Sequence, residues 1–242
     1  MNFQRPIIIA HRGASAYAED NTLESFEEAL RAGADMIEFD VRRTKDGILI
    51  AHHDRFVHGK PVSGLTYGEI EEDLRARHVH VPRLEEVLDF ARGRIGMDVE
   101  IKEEGYEDQL IELVRSRFGE DGFVVTSFND SSVRRIKDDF PWVRTGLILG
   151  RKKPDDYIET RFSEFFPMKR CRIARADFLV PHFKLLRFGF LSRARRNNKP
   201  VYVWTVNEEK KMERFARDPR IEAIITDRPD LAVRARDKTL RV

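Results

Sequence analysis

The sequence predicts an α/β chain closed into a (β/α)8 TIM barrel, and three observations carry that expectation. Short apolar runs rich in β-branched residues alternate with segments of helical period along all 242 residues. They make about eight strand–helix units, the number a closed barrel needs in roughly 250 residues. The first strand leads into HRGASAYA, which holds neither GxGxxG nor GxxxxGK[ST], so the phosphate loop of a doubly wound open sheet is missing. No low-complexity linker or compositional break divides the chain, and residues 1–242 read as one domain.

Ile7, Ile8 and Ile9 are consecutive and β-branched, as in a strand buried on both faces. Asn21 reads as the N-cap of the first helix, with Glu24 three residues on in a near capping box. Leu23, Phe26 and Leu30 keep the helical period until Gly33 ends it. A second strand spans 34–41. Asp46-Gly47 then turns the chain, and Ile48–Ala51 returns extended to deliver His52, His53 and Asp54. Residues 55–81, broken by Gly59, Pro61, Gly64 and Gly68, form a short insertion on the side where strands end. From Pro82 the alternation resumes with a helix through Leu84–Ala91, a strand at 95–102 and a helix through Leu110–Phe118. A strand at 123–127, a helix at 131–140 and a strand at 143–149 follow. Residues 161–174 are helical in part, ahead of a strand at 177–180 and a helix within 185–197. Strands at 201–206 and 221–226 alternate with helices at 208–217 and 231–236.

Hydrophobic residues make up 41% of the chain, enough for a sizeable core, and charged residues 36%, against roughly 25% in average soluble proteins. Lys plus Arg is 44 and Asp plus Glu 42, a net charge of +2, so the balance demands no nucleic-acid partner. Cys171 is the only cysteine, which excludes an intramolecular disulfide and suits a reducing compartment. The apolar stretch before His11 is short for a signal peptide, and no run approaches the roughly 18 apolar residues of a membrane span. The expectation is a soluble cytoplasmic protein without a transmembrane segment.

The residues that carry chemistry stand where apolar strands stop, the end at which α/β folds keep their sites. Glu38 and Asp40 are two apart, so on a strand both side chains point to one face and repel unless a positive group lies between them. A hard divalent cation with oxygen ligands answers that repulsion. The competing reading is a pair of solvated acids beside Arg42 and Arg43, which the apolar surroundings disfavour. Asp98, Glu100 and Lys102 repeat the spacing, opposite Met97, Val99 and Ile101. Glu100 then offers a third ligand and Lys102 an anion contact, unless the two form only a buried ion pair. His11 and His53 suit a general acid and base, and Arg12 offers phosphate a bidentate fork. His52 points away from His53, and His52, His58, His78 and His80 read as surface residues.

HRG near the N-terminus, NT opening the first helix, GAD-IE-DV, TKDG, HD, VPRLEEVL, EIK, VWTVN and ITDRPD follow one another along the chain. Together they resemble the glycerophosphodiester phosphodiesterase family. The resemblance implies a phosphodiesterase-type TIM barrel and metal-dependent hydrolysis of glycerophosphodiesters to an alcohol and sn-glycerol 3-phosphate, within glycerol and lipid metabolism. It implies His11 and His53 as the acid–base pair, Glu38, Asp40 and Glu100 as ligands of one calcium, magnesium or manganese ion, and Arg12 and Lys102 on the phosphate. Trp204 is implied as an aromatic wall against the glycerol or alcohol. Glu19-Asp20-Asn21-Thr22 stands where the family usually reads Pro-Glu-Asn-Thr, and the insertion after His53 is short. The leaving alcohol is therefore left open.

Arg161–Arg175, RFSEFFPMKRCRIAR, mixes four large apolar side chains with basic residues. Its first reading is an ordinary barrel helix, its second a weak contact with an anionic membrane surface. Two rivals follow: a lysophospholipase D-like enzyme acting on lipids, and a barrel that binds phosphate without catalysis. The second has no use for two site histidines.

Overall fold

The computed structural model describes residues 6–75, 79–150 and 162–240. Eight parallel strands form its centre: β1 (Ile7–His11), β2 (Met36–Arg43), β3 (Gly96–Ile101), β4 (Phe123–Ser127), β5 (Thr145–Leu149), β6 (Phe178–Pro181), β7 (Tyr202–Val203) and β8 (Ala223–Thr226). Neighbours pair in sequence order, and β1 also pairs with β8. Closure between β6 and β7 rests on two isolated bridges, Leu179↔Val201 and His182↔Trp204. The 201–206 run thus pairs as a strand only at Tyr202–Val203, between those bridges, and Val206 N still reaches the Ile225 carbonyl of β8 at 2.9 Å.

Alternation along each strand separates two cores. Ile37, Phe39 and Val41 of β2 and Met97, Val99 and Ile101 of β3 point outward onto Phe26, Leu88 and Leu110 of the surrounding helices. Ile9, Met36, Val124, Phe178, Val180, Tyr202 and Ile225 point inward and fill the barrel. Full burial of each such side chain contributes about 1.5–3 kcal/mol. The barrel floor is a stacked pair, Phe178 and Tyr202, with ring centroids 4.3 Å apart. Gly146 makes room for it, since a Cβ there would lie 2.3 Å from the Phe178 ring. Arg144 covers both rings and reaches Glu222 at 2.7 Å.

Helix Leu23–Arg31 is capped one residue later than expected. Thr22 Oγ1 accepts from Ser25 N at 3.2 Å, and Ser25 Oγ accepts from Thr22 N at 3.3 Å, closing the box. Asn21 is instead buried at φ 57° with its side chain turned to β2. After β2, Leu49–Ala51 folds back antiparallel on Val41–Arg43. The insertion that follows is more ordered than its glycines suggest. It holds the hairpin Phe56–Val57/Lys60–Pro61, a 3-10 turn at Val62–Gly64 and helix Tyr67–Arg75. Val57, Val62, Leu65, Ile70 and Leu74 give it a small core of its own beneath Ile50. In the Arg161–Arg175 stretch, 162–165 is helical and a second helix spans Met168–Ala174. Arg161 lies outside the described residues, as does His78. No helix among the described residues is long and apolar enough to cross a membrane.

Candidate active site

Register brings the acids together. Glu38 pairs with Asp98 and Asp40 with Glu100 across β2 and β3, and His11 of β1 pairs with Glu38. All four carboxylates are buried. Oxygens of Glu38, Asp40 and Glu100 lie within 4.8 Å of one another.

Two cations meet them. Lys102 Nζ donates to Glu100 Oε1 at 2.6 Å and to Asp40 Oδ1 at 2.9 Å. Arg12 Nε lies 3.1 Å from Asp40 Oδ2, an ion pair without hydrogen-bond alignment, while Arg12 Nη1 donates to Asp20 at 2.8 Å. Arg12 adopts φ 55° to turn its backbone N–H onto Glu38 Oε2 at 2.9 Å. The next residue must be glycine, because Gly13 has φ 80° and a Cβ there would lie 2.3 Å from Ser25 Oγ. Asn21 locks Asp40 from both sides, donating to Oδ2 at 2.9 Å and accepting from Asp40 N at 3.0 Å.

Charge is unbalanced. Four carboxylates face two cations, so full ionisation leaves two negative charges uncompensated. Burial raises the Glu38 carboxyl well above its usual range, with Asp40 and Glu100 adding to it. Burial also raises Glu100 despite Lys102, and pushes Asp98 up to about 7. Asp40 goes the other way: burial opposes its ionisation, but Lys102 and Arg12 outweigh it. Glu100 and Asp40 in turn raise Lys102 against its own burial. Glu38 Oε1 and Asp98 Oδ2 are buried with no hydrogen-bond partner. The Glu100–Lys102 ion pair weighed from the sequence is present, but it leaves those oxygens unsatisfied. An all-oxygen set with two excess charges and an orphaned carboxylate oxygen fits a hard divalent cation.

The histidines flank this cluster and line the same cavity of about 960 Å³. His11 Nδ1 sits 2.6 Å from Asp227 Oδ1, which leaves Nε2 as the nitrogen free for proton transfer. Asp227 is itself held by Asn207, whose side chain donates to Oδ2 and accepts from Asp227 N at 3.0 Å. Burial opposes ionisation of Asp227, yet its contact with His11 holds the carboxyl below the usual range. His53 Nδ1 sits 2.9 Å from Asp54, and burial lowers its imidazole against the pull of Asp40. Arg42 is buried and grips the His53 carbonyl through Nε at 2.9 Å and Nη2 at 2.7 Å. Its Nη1 also pairs with Glu103, so Arg42 ties the loop to the end of β3. His52 does turn from the cavity, but it is half-buried rather than on the surface. His58 and His80 are exposed.

Across the cavity the lining is apolar: Phe128, Ile148, Val180 and Trp204. Trp204 Nε1 donates to the Val180 carbonyl at 2.8 Å, and its ring meets Phe128 edge-on at 5.7 Å. All eight residues singled out from the sequence therefore line or border one cavity. Asp227, Asn207, Asn21, Arg42 and Asp98 were not assigned roles in the site, although ITDRPD, VWTVN, NT and the face shared with Glu100 pointed at four of them.

A sequence model described as the glycerophosphoryl diester phosphodiesterase family matches residues 11–231. The chain belongs to this family. A glycerophosphodiester phosphodiesterase of Caldanaerobacter subterraneus subsp. tengcongensis is 27% identical, over 95% of this chain and 97% of its own. The crystal structure of a Thermotoga maritima glycerophosphodiester phosphodiesterase superposes with a TM-score of 0.77 at 25% identity, covering 96% of this chain and 99% of that one. The fold is shared also with an Oleispira antarctica phosphodiesterase solved in complex with the product sn-glycerol-3-phosphate, at TM-score 0.80 and 22% identity, over 96% and 97% of the two chains. Family membership makes this barrel an enzyme, a phosphoric diester hydrolase.

Proposed function

We propose that the barrel hydrolyses glycerophosphodiesters to an alcohol and sn-glycerol 3-phosphate, with Glu38, Asp40 and Glu100 holding one divalent cation and His11 and His53 exchanging protons. The observation that carries this reading is the trio of carboxylates within 4.8 Å, one oxygen of it orphaned, beside a histidine backed by a carboxylate. Calcium, magnesium or manganese bound there would supply positive charge to the phosphoryl oxygens. Arg12 and Lys102 bind the phosphate and, once their carboxylates face the cation, are released from neutralising them. One histidine takes the proton of the glycerol 2-hydroxyl as its oxygen bonds to phosphorus. The other gives its proton to the alcohol oxygen as the P–O bond to that alcohol breaks. Water then adds to the cyclic phosphodiester, one proton returning to the 2-oxygen, so the balance is diester plus water to alcohol plus sn-glycerol 3-phosphate. Trp204 and its neighbours close the apolar side against the organic group.

We read residues 1–242 as one such domain with small-molecule glycerophosphodiesters as its partners. The buried, unpaired Cys171 suits a cytoplasmic setting. The direct test is release of sn-glycerol 3-phosphate from glycerophosphocholine and glycerophosphoethanolamine by metal-stripped protein, before and after calcium, magnesium or manganese. Release that needs the cation and disappears in His11→Ala and Glu38→Ala is expected. Release from stripped protein, or undiminished release by either variant, would sink the reading. Cleavage of lysophospholipid alone would move the assignment to the lysophospholipase D-like rival.

A further inference from the structure

Seven large apolar side chains are exposed among the described residues, and five of them lie in segments that leave barrel strands at their C-terminal ends: Tyr17, Phe56, Phe162, Phe166 and Phe188. The other two, Trp142 and Ile173, sit at the opposite end and on a helix. Exposed apolar surface thus gathers on the face that carries the cavity mouth. Three of the five form one patch on the connections after β5 and β6. Phe162 and Phe166 pack at 5.0 Å, Phe188 meets Phe165 edge-on at 5.5 Å, and the Arg193 guanidinium lies 4.6 Å over Phe166.

The patch is built rather than incidental. Phe188 is 71% exposed and adopts φ 50°, a left-handed conformation that a bulky side chain disfavours. Arg193 holds it there by donating to the Phe188 and Phe165 carbonyls. The strained backbone leaves most of the Phe188 ring in water, with one edge against Phe165. Around it the charge is positive. Lys184 and Arg187 are exposed and have no carboxylate partner among the described residues. Lys210 and Lys211 extend the rim, with Lys211 Nζ 4.7 Å over Phe183, against Glu208 and Glu209 as its acids. Phe183 stacks on His182, which lines the cavity, so the basic rim reaches the mouth.

We propose that this aromatic and basic rim docks on an anionic phospholipid bilayer, the rings entering the headgroup layer and the cations pairing with lipid phosphates, so that the cavity mouth faces the membrane. Aromatic rings flanked by unpaired lysine and arginine fit that surface, whereas a neutral one would leave the cations without partners. The inference stands apart from the catalytic reading, because vesicle binding is measured without turnover.

Flotation of the full chain with vesicles of phosphatidylcholine, alone or mixed with phosphatidylglycerol, tests it. Binding should appear with the mixed vesicles only and weaken as salt rises. Lys184→Glu with Arg187→Glu should weaken it at least tenfold, taking about fivefold per charge near the surface. Phe188→Asn should weaken it while keeping the fold, since Asn accepts the left-handed conformation, and Phe162→Ser with Phe166→Ser should weaken it further. Turnover of soluble glycerophosphocholine should be unchanged in all of these variants. Equal binding to both vesicle types, binding untouched by the variants, or a concentration-dependent dimer that the phenylalanine variants abolish would overturn the proposal, the last by giving the patch to a second copy of the chain.

Discussion

Inside the barrel, β2 and β3 present Glu38, Asp40, Asp98, Glu100 and Lys102, whereas β5, β6 and β7 present Ile148, Phe178, Val180, Tyr202 and Trp204. Both halves obey the same two-residue alternation and carry the same kind of apolar outer face. They differ in what the inward positions cost. The acid half gathers buried carboxylates, and in Glu38, Asp98 and Glu100 burial raises the proton affinity. The apolar half contains stacked rings and satisfied indole and amide groups. Cohesion on one side thus supports a group of charges on the other that would not assemble unaided.

The contrast can be broken from either half. The largest effect is expected in the acid half: Glu38→Gln or Glu100→Gln should lower kcat/KM on the order of 10³-fold or more. Added divalent cation should raise Tm in the unaltered chain and leave it unmoved in these variants, because only the folded site binds the ion. Next comes Asp227→Asn, which keeps a partner for His11 Nδ1 but removes the carboxylate charge beside it. A fall in kcat on the order of 10²-fold with KM nearly constant is expected in steady-state kinetics. In the apolar half, Gly146→Ala forces a methyl into Phe178 and should cost about 1–3 kcal/mol in urea unfolding while leaving kcat/KM intact. The smallest change is Trp204→Phe, which leaves two carbonyls without the indole N–H and should cost about 1 kcal/mol, with a modest rise in KM.

Much of this contrast was visible in one dimension. Strand period and acids inside apolar runs locate the barrel, its inward faces and Glu38, Asp40 and Glu100, since both signals are local. What escaped depends on contacts across the chain. Asn21 looks like a cap until Asp40, 19 residues away, claims its side chain and Thr22 takes its place. Asp227 meets His11 across 216 residues of sequence. Arg42 reads as a neighbour of Glu38 and Asp40 by position, but its buried guanidinium joins the His53 carbonyl to Glu103, contacts no short window shows. The insertion's small core joins Ile50, ahead of it, to Val81 at its end, a pairing no short window reveals.

Isothermal titration of metal-stripped protein with calcium, magnesium and manganese tests the central claim most directly, with Glu38→Gln, Glu100→Gln and Trp204→Phe alongside. One ion per chain is expected in the unaltered protein and in Trp204→Phe, and none at comparable affinity in the two carboxylate variants. Binding undiminished in either carboxylate variant, or no binding of any of the three cations to the folded chain, would contradict it.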